Sequence, residues 1–165
     1  MTLIRPEQPE DESAITTLTT LTFETAPHSD GREAAIIERL RAAGALLLSL
    51  VAVRSNRIIG HVAFSPVVIS GKDHGWIGLG PVSVTPDQQS GGIGSSLIRS
   101  GLTQMQATGY KGCVVLGEPA YYTRFGFVAD PALILPGVPA EYFQACLWDG
   151  PAPNGTVAYH SAFTD

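Results

Sequence analysis

The sequence predicts an α/β fold, a mixed and twisted central sheet flanked by helices. Three observations carry this expectation. The runs Leu46 to Arg54 and Arg57 to Ile69 are apolar, β-branched and separated only by Ser55-Asn56, which is the signature of an antiparallel hairpin. Ile93, Leu97, Ile98, Leu102 and Met105 recur at helical spacing across Gly92 to Thr108, the strongest such pattern in the chain. That helix stands between two apolar runs, Trp76 to Val84 and Cys113 to Leu116, so a βαβ unit is expected there.

The other elements follow in order. Leu3-Ile4-Arg5 reads as a short strand ended by Pro6 and Pro9, and Asp11 to Thr22 places Ile15, Leu18 and Leu21 on one helical face. Ser29-Asp30-Gly31 is expected to cap a second helix, Arg32 to Ala43, with Ile36, Ile37 and Leu40 inward and Gly44 at its stop. Gly71 to Gly75 turns the hairpin into Trp76 to Val84, and Pro86 to Gly91 is a polar turn before the long helix, which Gly109 closes. Ala120 to Phe125 has room for one or two helical turns. Five of the 12 prolines fall between Pro131 and Pro153, and in this stretch only Ala132 to Leu135 and Thr156 to Phe163 resemble strands. No linker, repeat or low-complexity tract divides the chain, so residues 1–165 are expected to form one domain.

Composition excludes several function classes. With 44% hydrophobic and 15% charged residues the chain has enough apolar material for a core. Ten Lys and Arg against 15 Asp and Glu give a net charge of −5, the wrong sign for gripping a nucleic-acid backbone. Cys113 and Cys146 make no disulfide framework, and no His or Cys cluster has metal-ligand spacing, so no metal is expected. The start of the chain lacks the pattern of a signal peptide, and the longest apolar run, Ala45 to Val53, is interrupted and too short to span a bilayer. A soluble, cytoplasmic protein without a membrane partner is expected.

The chemistry concentrates in Val82-Ser83-Val84-Thr85-Pro86-Asp87-Gln88-Gln89-Ser90-Gly91-Gly92-Ile93-Gly94-Ser95. A strand enters a glycine-rich turn that opens a helix, so unpaired N–H groups converge at the positive end of the helix dipole and suit a phosphate. A P-loop needs Gly-Lys-Ser/Thr, and a dinucleotide fingerprint needs a glycine where Leu97 stands. Neither fits. A second segment, Gly117-Glu118-Pro119-Ala120-Tyr121-Tyr122-Thr123-Arg124-Phe125-Gly126-Phe127, follows the buried strand, and Tyr121, Phe125 and Phe127 read as core aromatics.

The spacing of Gln89, Gly92 and Gly94, Gln-x-x-Gly-x-Gly, resembles the pyrophosphate loop of the GNAT superfamily of acyl-CoA-dependent N-acyltransferases. Tyr122, Gly126 and Phe127 match that superfamily's Tyr-x-x-x-Gly-Phe element. Together with Leu79 to Val84 they look most like the bacterial YhbS-like branch. The resemblance implies a GNAT-like sheet splayed open to admit acetyl-CoA, with Val82, Ser83, Val84, Gln89, Ser90, Gly91, Gly92, Ile93, Gly94 and Ser95 as the cofactor-binding residues. It implies direct acetyl transfer to an amine, small molecule or protein, with backbone donors near Val82 to Val84 facing the oxyanion and Tyr122 protonating the departing thiolate. Because these motifs end by Phe127, residues 131–165 are expected to form the substrate side, with Tyr142, Phe143 and Trp148 as pocket or core residues. The sequence is also compatible with a homodimer.

One departure matters. Many members carry a Glu on the strand before the loop to deprotonate the amine, and Trp76 to Val84 contains no acid. Glu118, Glu24, Asp73 and His61 are the ionisable candidates, of which His61, on an apolar strand, reads as a hydrogen-bonded core residue. His28, His74 and His160 read as surface or turn residues, and Cys113 as a small apolar side chain. The missing acid keeps open a rival reading, a CoA-binding or regulatory domain without turnover. A metal-dependent hydrolase is a weaker rival, since no His/Asp/Glu cluster has ligand spacing.

Overall fold

Ser55 and Asn56 both take left-handed backbone, φ 52° and 61°, as a two-residue hairpin turn requires. They join strand β2 (Leu48–Arg54) to the 13-residue strand β3 (Arg57–Ile69). In the computed structural model, which describes residues 1–27 and 29–164, the edge strand β1 (Leu3–Pro6) pairs antiparallel with β2. His28 lies outside the described residues. Helices α1 (Glu12–Glu24) and α2 (Glu33–Ala42) precede β2, and β4 (Trp76–Val84) runs antiparallel to β3. After it come α3 (Ile93–Thr108), β5 (Gly112–Leu116), the short α4 (Pro119–Tyr122), β6 (Val128–Ala129), β7 (Leu133–Ile134), β8 (Phe143–Leu147) and β9 (Gly155–Tyr159). Among the described residues the sheet order is β1-β2-β3-β4-β5-β8-β6, while β9 pairs with the end of β3 and with β7.

The expected βαβ unit is present, and its two strands separate. Parallel pairing of β4 with β5 covers only Trp76 to Gly78 against Gly112 to Val114. Beyond it, β4 keeps β3 as its partner, and β5 keeps β8, which it meets along its whole length. The β3–β4 register slips between Val62 and Phe64, whose partners are Val82 and Leu79, so Gly80 and Pro81 bulge out of the ladder. A wedge therefore opens beside Leu79 to Val84.

The sheet's two faces differ in composition. On one, Leu50, Val62, Phe64, Ile77 and Leu79 pack against Ile93, Leu97, Ile98, Leu102 and Met105 of α3 in the largest apolar cluster. A Cβ at Gly101 would lie 2.2 Å from the Phe64 ring, so α3 rests its backbone directly on that ring. The other face carries α1 and α2, whose Ile15 and Ile37 meet Val51. Polar side chains are buried there as well.

Two expectations are corrected. Ser29-Asp30-Gly31 does not cap α2: the N-cap is Arg32, Asp30 takes the Arg32 amide and guanidinium, and the Ser29 hydroxyl bonds Glu33. The last expected strand stops at Tyr159, and Ser161–Phe163 is a 3-10 turn. Strands β6 and β8 were not expected, although β8 is the second partner of β5.

Candidate active site

The turn after β4 is held by its own side chains. Gln89 Nε2 donates to the Val84 carbonyl at 3.0 Å, Thr22 Oγ1 from α1 donates to the same oxygen at 3.2 Å, and Arg54 Nη1 donates to Gln88 Oε1 at 2.7 Å. Ser90 and Gly92 then take positive φ, 68° and 84°. Gly92 is the N-cap of α3 and no side chain caps the helix, so its first-turn amides remain free to meet an anion. Strand alternation completes the wall: Thr85 N–H bonds Ile59 on β3, which turns the amides of Val82 and Val84 toward the wedge.

A cleft of about 320 Å³ lies at this helix start, lined by Val84, Gln88, Gln89, Ser90, Gly92, Ile93, Gly94, Ser95, Tyr121 and Arg124. Seven of the ten expected cofactor residues thus share one cavity. Gly91 faces an adjoining hollow of about 160 Å³ with Arg54 and Ser96. Val82 packs against the α3-side core, and Ser83 is buried opposite His61.

Three residues of the cleft, Gln88, Tyr121 and Arg124, were not among the expected cofactor residues. Tyr121, read as a core aromatic, has its hydroxyl 3.1 Å from Ser95 Oγ, and a Cβ at Gly94 would sit 3.5 Å from it. Arg124 spreads its guanidinium over the Tyr121 ring at 4.6 Å and donates through Nε to the Tyr121 carbonyl at 2.9 Å. On α3, Arg99 lies over Phe125 at 4.9 Å. Arg124 gives the cleft local positive charge in a chain of net −5, whereas Arg99 lines a separate cavity. No sequence signal separates them from ordinary surface arginines.

Tyr122 stands edge-on to Tyr121 (centroids 5.0 Å apart) and to Phe127 (6.1 Å). Burial, with a smaller contribution from Tyr121, pushes its phenol up to about 12, so it stays protonated at neutral pH. The candidate bases separate clearly. Glu24, Asp73 and Glu118 are exposed; Asp73 caps the Gly75 amide and Glu118 begins α4. His61 is fully buried, and its Nε2 lies 2.7 Å from Ser49 Oγ. Phe143 is core, Tyr142 is exposed, and Trp148 lines a separate cavity with Arg99 and Leu102. Among the described residues no three His, Cys, Asp or Glu groups come together to hold a metal ion, and no helix is long and apolar enough to cross a membrane.

The fold and this cleft define an acetyltransferase. Residues 13–127 match the acetyltransferase (GNAT) family. Over 149 residues the chain is 38% identical to the uncharacterized N-acetyltransferase YhbS of Escherichia coli K12, covering 90% of this chain and 81% of that protein. The chain belongs to the GNAT family and is an N-acetyltransferase of that family. A GNAT family acetyltransferase from Brucella melitensis, crystallised with acetyl-CoA, superposes with a TM-score of 0.89 at 46% identity, covering 99% of this chain and 98% of that one. The crystal structure of E. coli YhbS in complex with CoA gives 0.90 at 35% identity, over 99% and 92%.

Proposed function

We propose that residues 1–165 act as one cytoplasmic N-acetyltransferase domain that moves the acetyl group of acetyl-CoA directly onto a primary amine, of a small molecule or a protein. The observation that carries this reading is the uncapped start of α3 behind a left-handed Ser90–Gly92 turn, beside strands that part. The amides of that turn and Ser95, with Arg124 at the rim, suit a pyrophosphate. The free amides of Val82 and Val84 suit the amide-bearing arm of the same molecule and the oxyanion of the attacked thioester. The likeness to two chains crystallised with acetyl-CoA and CoA supports the assignment.

Tyr122 is held fully protonated, as a proton donor to a departing thiolate must be. Residues 131–165 form the amine side in this reading. The deciding experiment is thiol release from acetyl-CoA across a panel of amines, alongside calorimetry with CoA. Amine-dependent thiol release is expected. Tight CoA binding with no release for any amine instead identifies a binding domain without turnover, the reading that the acid-free β4 favours.

A further inference from the structure

Glu7 follows β1 and is gripped by Arg41 of α2, whose Nε and Nη2 donate to its carboxylate at 2.9 and 3.0 Å. Ser49 of β2 also donates its hydroxyl to Glu7, and the same oxygen is the partner of His61 Nε2. A hydroxyl has one proton. Since Glu7 as a carboxylate only accepts, the Ser49 proton points to Glu7 and the Ser49 oxygen must accept from His61. Nε2 therefore carries the imidazole hydrogen, and Nδ1 presents a lone pair.

That lone pair is buried without a partner, and so are the hydroxyls of Ser83 and Thr19. Ser83 is the direct cross-strand partner of His61. Thr19 stands one turn before Thr22, which fixes α1 to β4 at Val84, and it is fully buried. Buried polar groups are nearly always hydrogen-bonded, and a buried water commonly serves about three of them. Alternation along β4 sends Ser83 to the face opposite Val82 and Val84. His61 and Ser83 thus back the wall of the cofactor cleft on the face that α1, with the buried Thr19, packs against.

We propose that Thr19, Ser83 and a water they bind with His61 form the inner end of a proton relay running through His61 and Ser49 to Glu7, and that it removes the amine proton during acetyl transfer. The proposal rests on the function given above. As the new C–N bond forms and the C–S bond breaks, the nitrogen gives one proton through this water to His61 Nδ1. His61 Nε2–H passes its own proton to Ser49, and Ser49 passes one to the Glu7 carboxylate. His61 ends in the other tautomer, Glu7 is protonated and releases its proton to solvent, and Tyr122 gives its phenol proton to the departing CoA thiolate and takes one back from solvent.

The electrostatics suit a conduit better than a store. Burial pushes the His61 imidazole down to about 4, against the pull of Glu7 and with the push of Arg41, so His61 stays neutral between transfers. Partial burial pushes the Glu7 carboxyl up, but the bonds from Arg41 and Ser49 outweigh it and hold Glu7 below the usual carboxylate range, charged and ready to accept. The charged groups around His61 are Glu7 and Arg41, with Glu12 of α1 reaching Arg41 at 3.8 Å; β2, β4 and α1 present the hydroxyls of Ser49, Ser83 and Thr19.

The test combines tautomer and turnover. Nitrogen-15 NMR of histidine-labelled parent protein should show His61 as the neutral Nε2–H form at pH 7; an Nδ1–H form or an imidazolium overturns the relay. Ser49→Ala and Glu7→Gln should each lower kcat at least tenfold at unchanged KM for acetyl-CoA, whereas Glu12→Gln should keep the parental kcat. Ser49→Ala leaves the Glu7–Arg41 pair in place, so it reports on the relay even if Glu7→Gln folds poorly. Parental kcat in folded Ser49→Ala overturns the relay alone. A parent that binds acetyl-CoA and acetylates no amine in the panel overturns the proposed function and the relay with it.

Discussion

The two faces of the central sheet solve different problems. Under α3 the interior is almost wholly apolar, with Phe64, Leu97 and Ile98 fully buried, and the binding features at its rim are made chiefly by backbone, with Ser95 and Arg124 beside it. Under α1 the interior admits Ser49, His61, Ser83 and Thr19, all buried. Backbone geometry can receive an anion without ionisable groups inside the protein. Proton movement needs polar side chains, and burying them costs stability unless they are paired. The contrast predicts that the α3 face is sensitive to volume and the α1 face to pH.

The largest effect should come from volume. Phe64→Ala, beneath Gly101, should lower unfolding stability by about 3–5 kcal/mol in urea titrations, equally at pH 7 and pH 5. A loss under 1 kcal/mol would mean that the α3 face is not the tightly packed one.

Tyr122→Phe keeps the ring and removes the hydroxyl, so folding and acetyl-CoA affinity should hold while kcat drops roughly 10²-fold, about 2.7 kcal/mol in the barrier. Steady-state kinetics on a responsive amine checks it. Parental kcat reduces Tyr122 to a packing residue of the apolar face.

The α1 face makes the pH prediction. His61 is neutral in the fold down to about pH 4, while an unfolded histidine takes up a proton near 6.5. Its contribution is therefore complete above pH 6.5 and lost as pH falls toward 4. Stability should drop by about 2 kcal/mol between pH 7 and pH 5 through this residue. Denaturant titrations at both values should show the drop in the parent, and a much smaller one in His61→Gln. The bonded carboxylates Glu7 and Asp11, both held low, lose their contributions only below the ordinary carboxylate range, so they do not blur that window.

The smallest effect separates the two glycines of the loop. Gly92 needs φ 84°, so a side chain there strains the turn itself. A Cβ at Gly94 meets only ordinary contacts, 3.5 Å to the Tyr121 hydroxyl and 3.7 Å to Val84, and it projects into the cleft. Gly94→Val should fold normally and weaken acetyl-CoA binding at least tenfold, about 1.4 kcal/mol, by calorimetry.

What could be read from the sequence was local. The period from Ile93 to Met105, the Ser55-Asn56 turn and the glycine spacing each sit within one short window, and each has its place in the structure. Strand β8 has no such window. Phe143–Leu147 holds the polar Gln144, lies between proline-rich segments and becomes a strand by pairing with β5 across the intervening chain. Tyr121 packs against the apolar cluster as expected, but its hydroxyl also reaches Ser95, and two adjacent tyrosines give no clue to which one turns that way. The Glu7–Ser49–His61 chain joins residues 42 and 12 positions apart, so only folding brings it together.

The three rungs joining β4 to β5 also have a mechanical meaning. The free part of β4, Leu79 to Val84, extends about 20 Å at roughly 3.3 Å per residue. Its fixed end is at Gly78, so by geometry alone an angle of about 5° at those rungs corresponds to about 2 Å at the far end. The width of the mouth is thereby tied to a small angle at a seam of only three pairs, and a substitution that loosens Trp76 against Gly112 acts on a gap about 20 Å away.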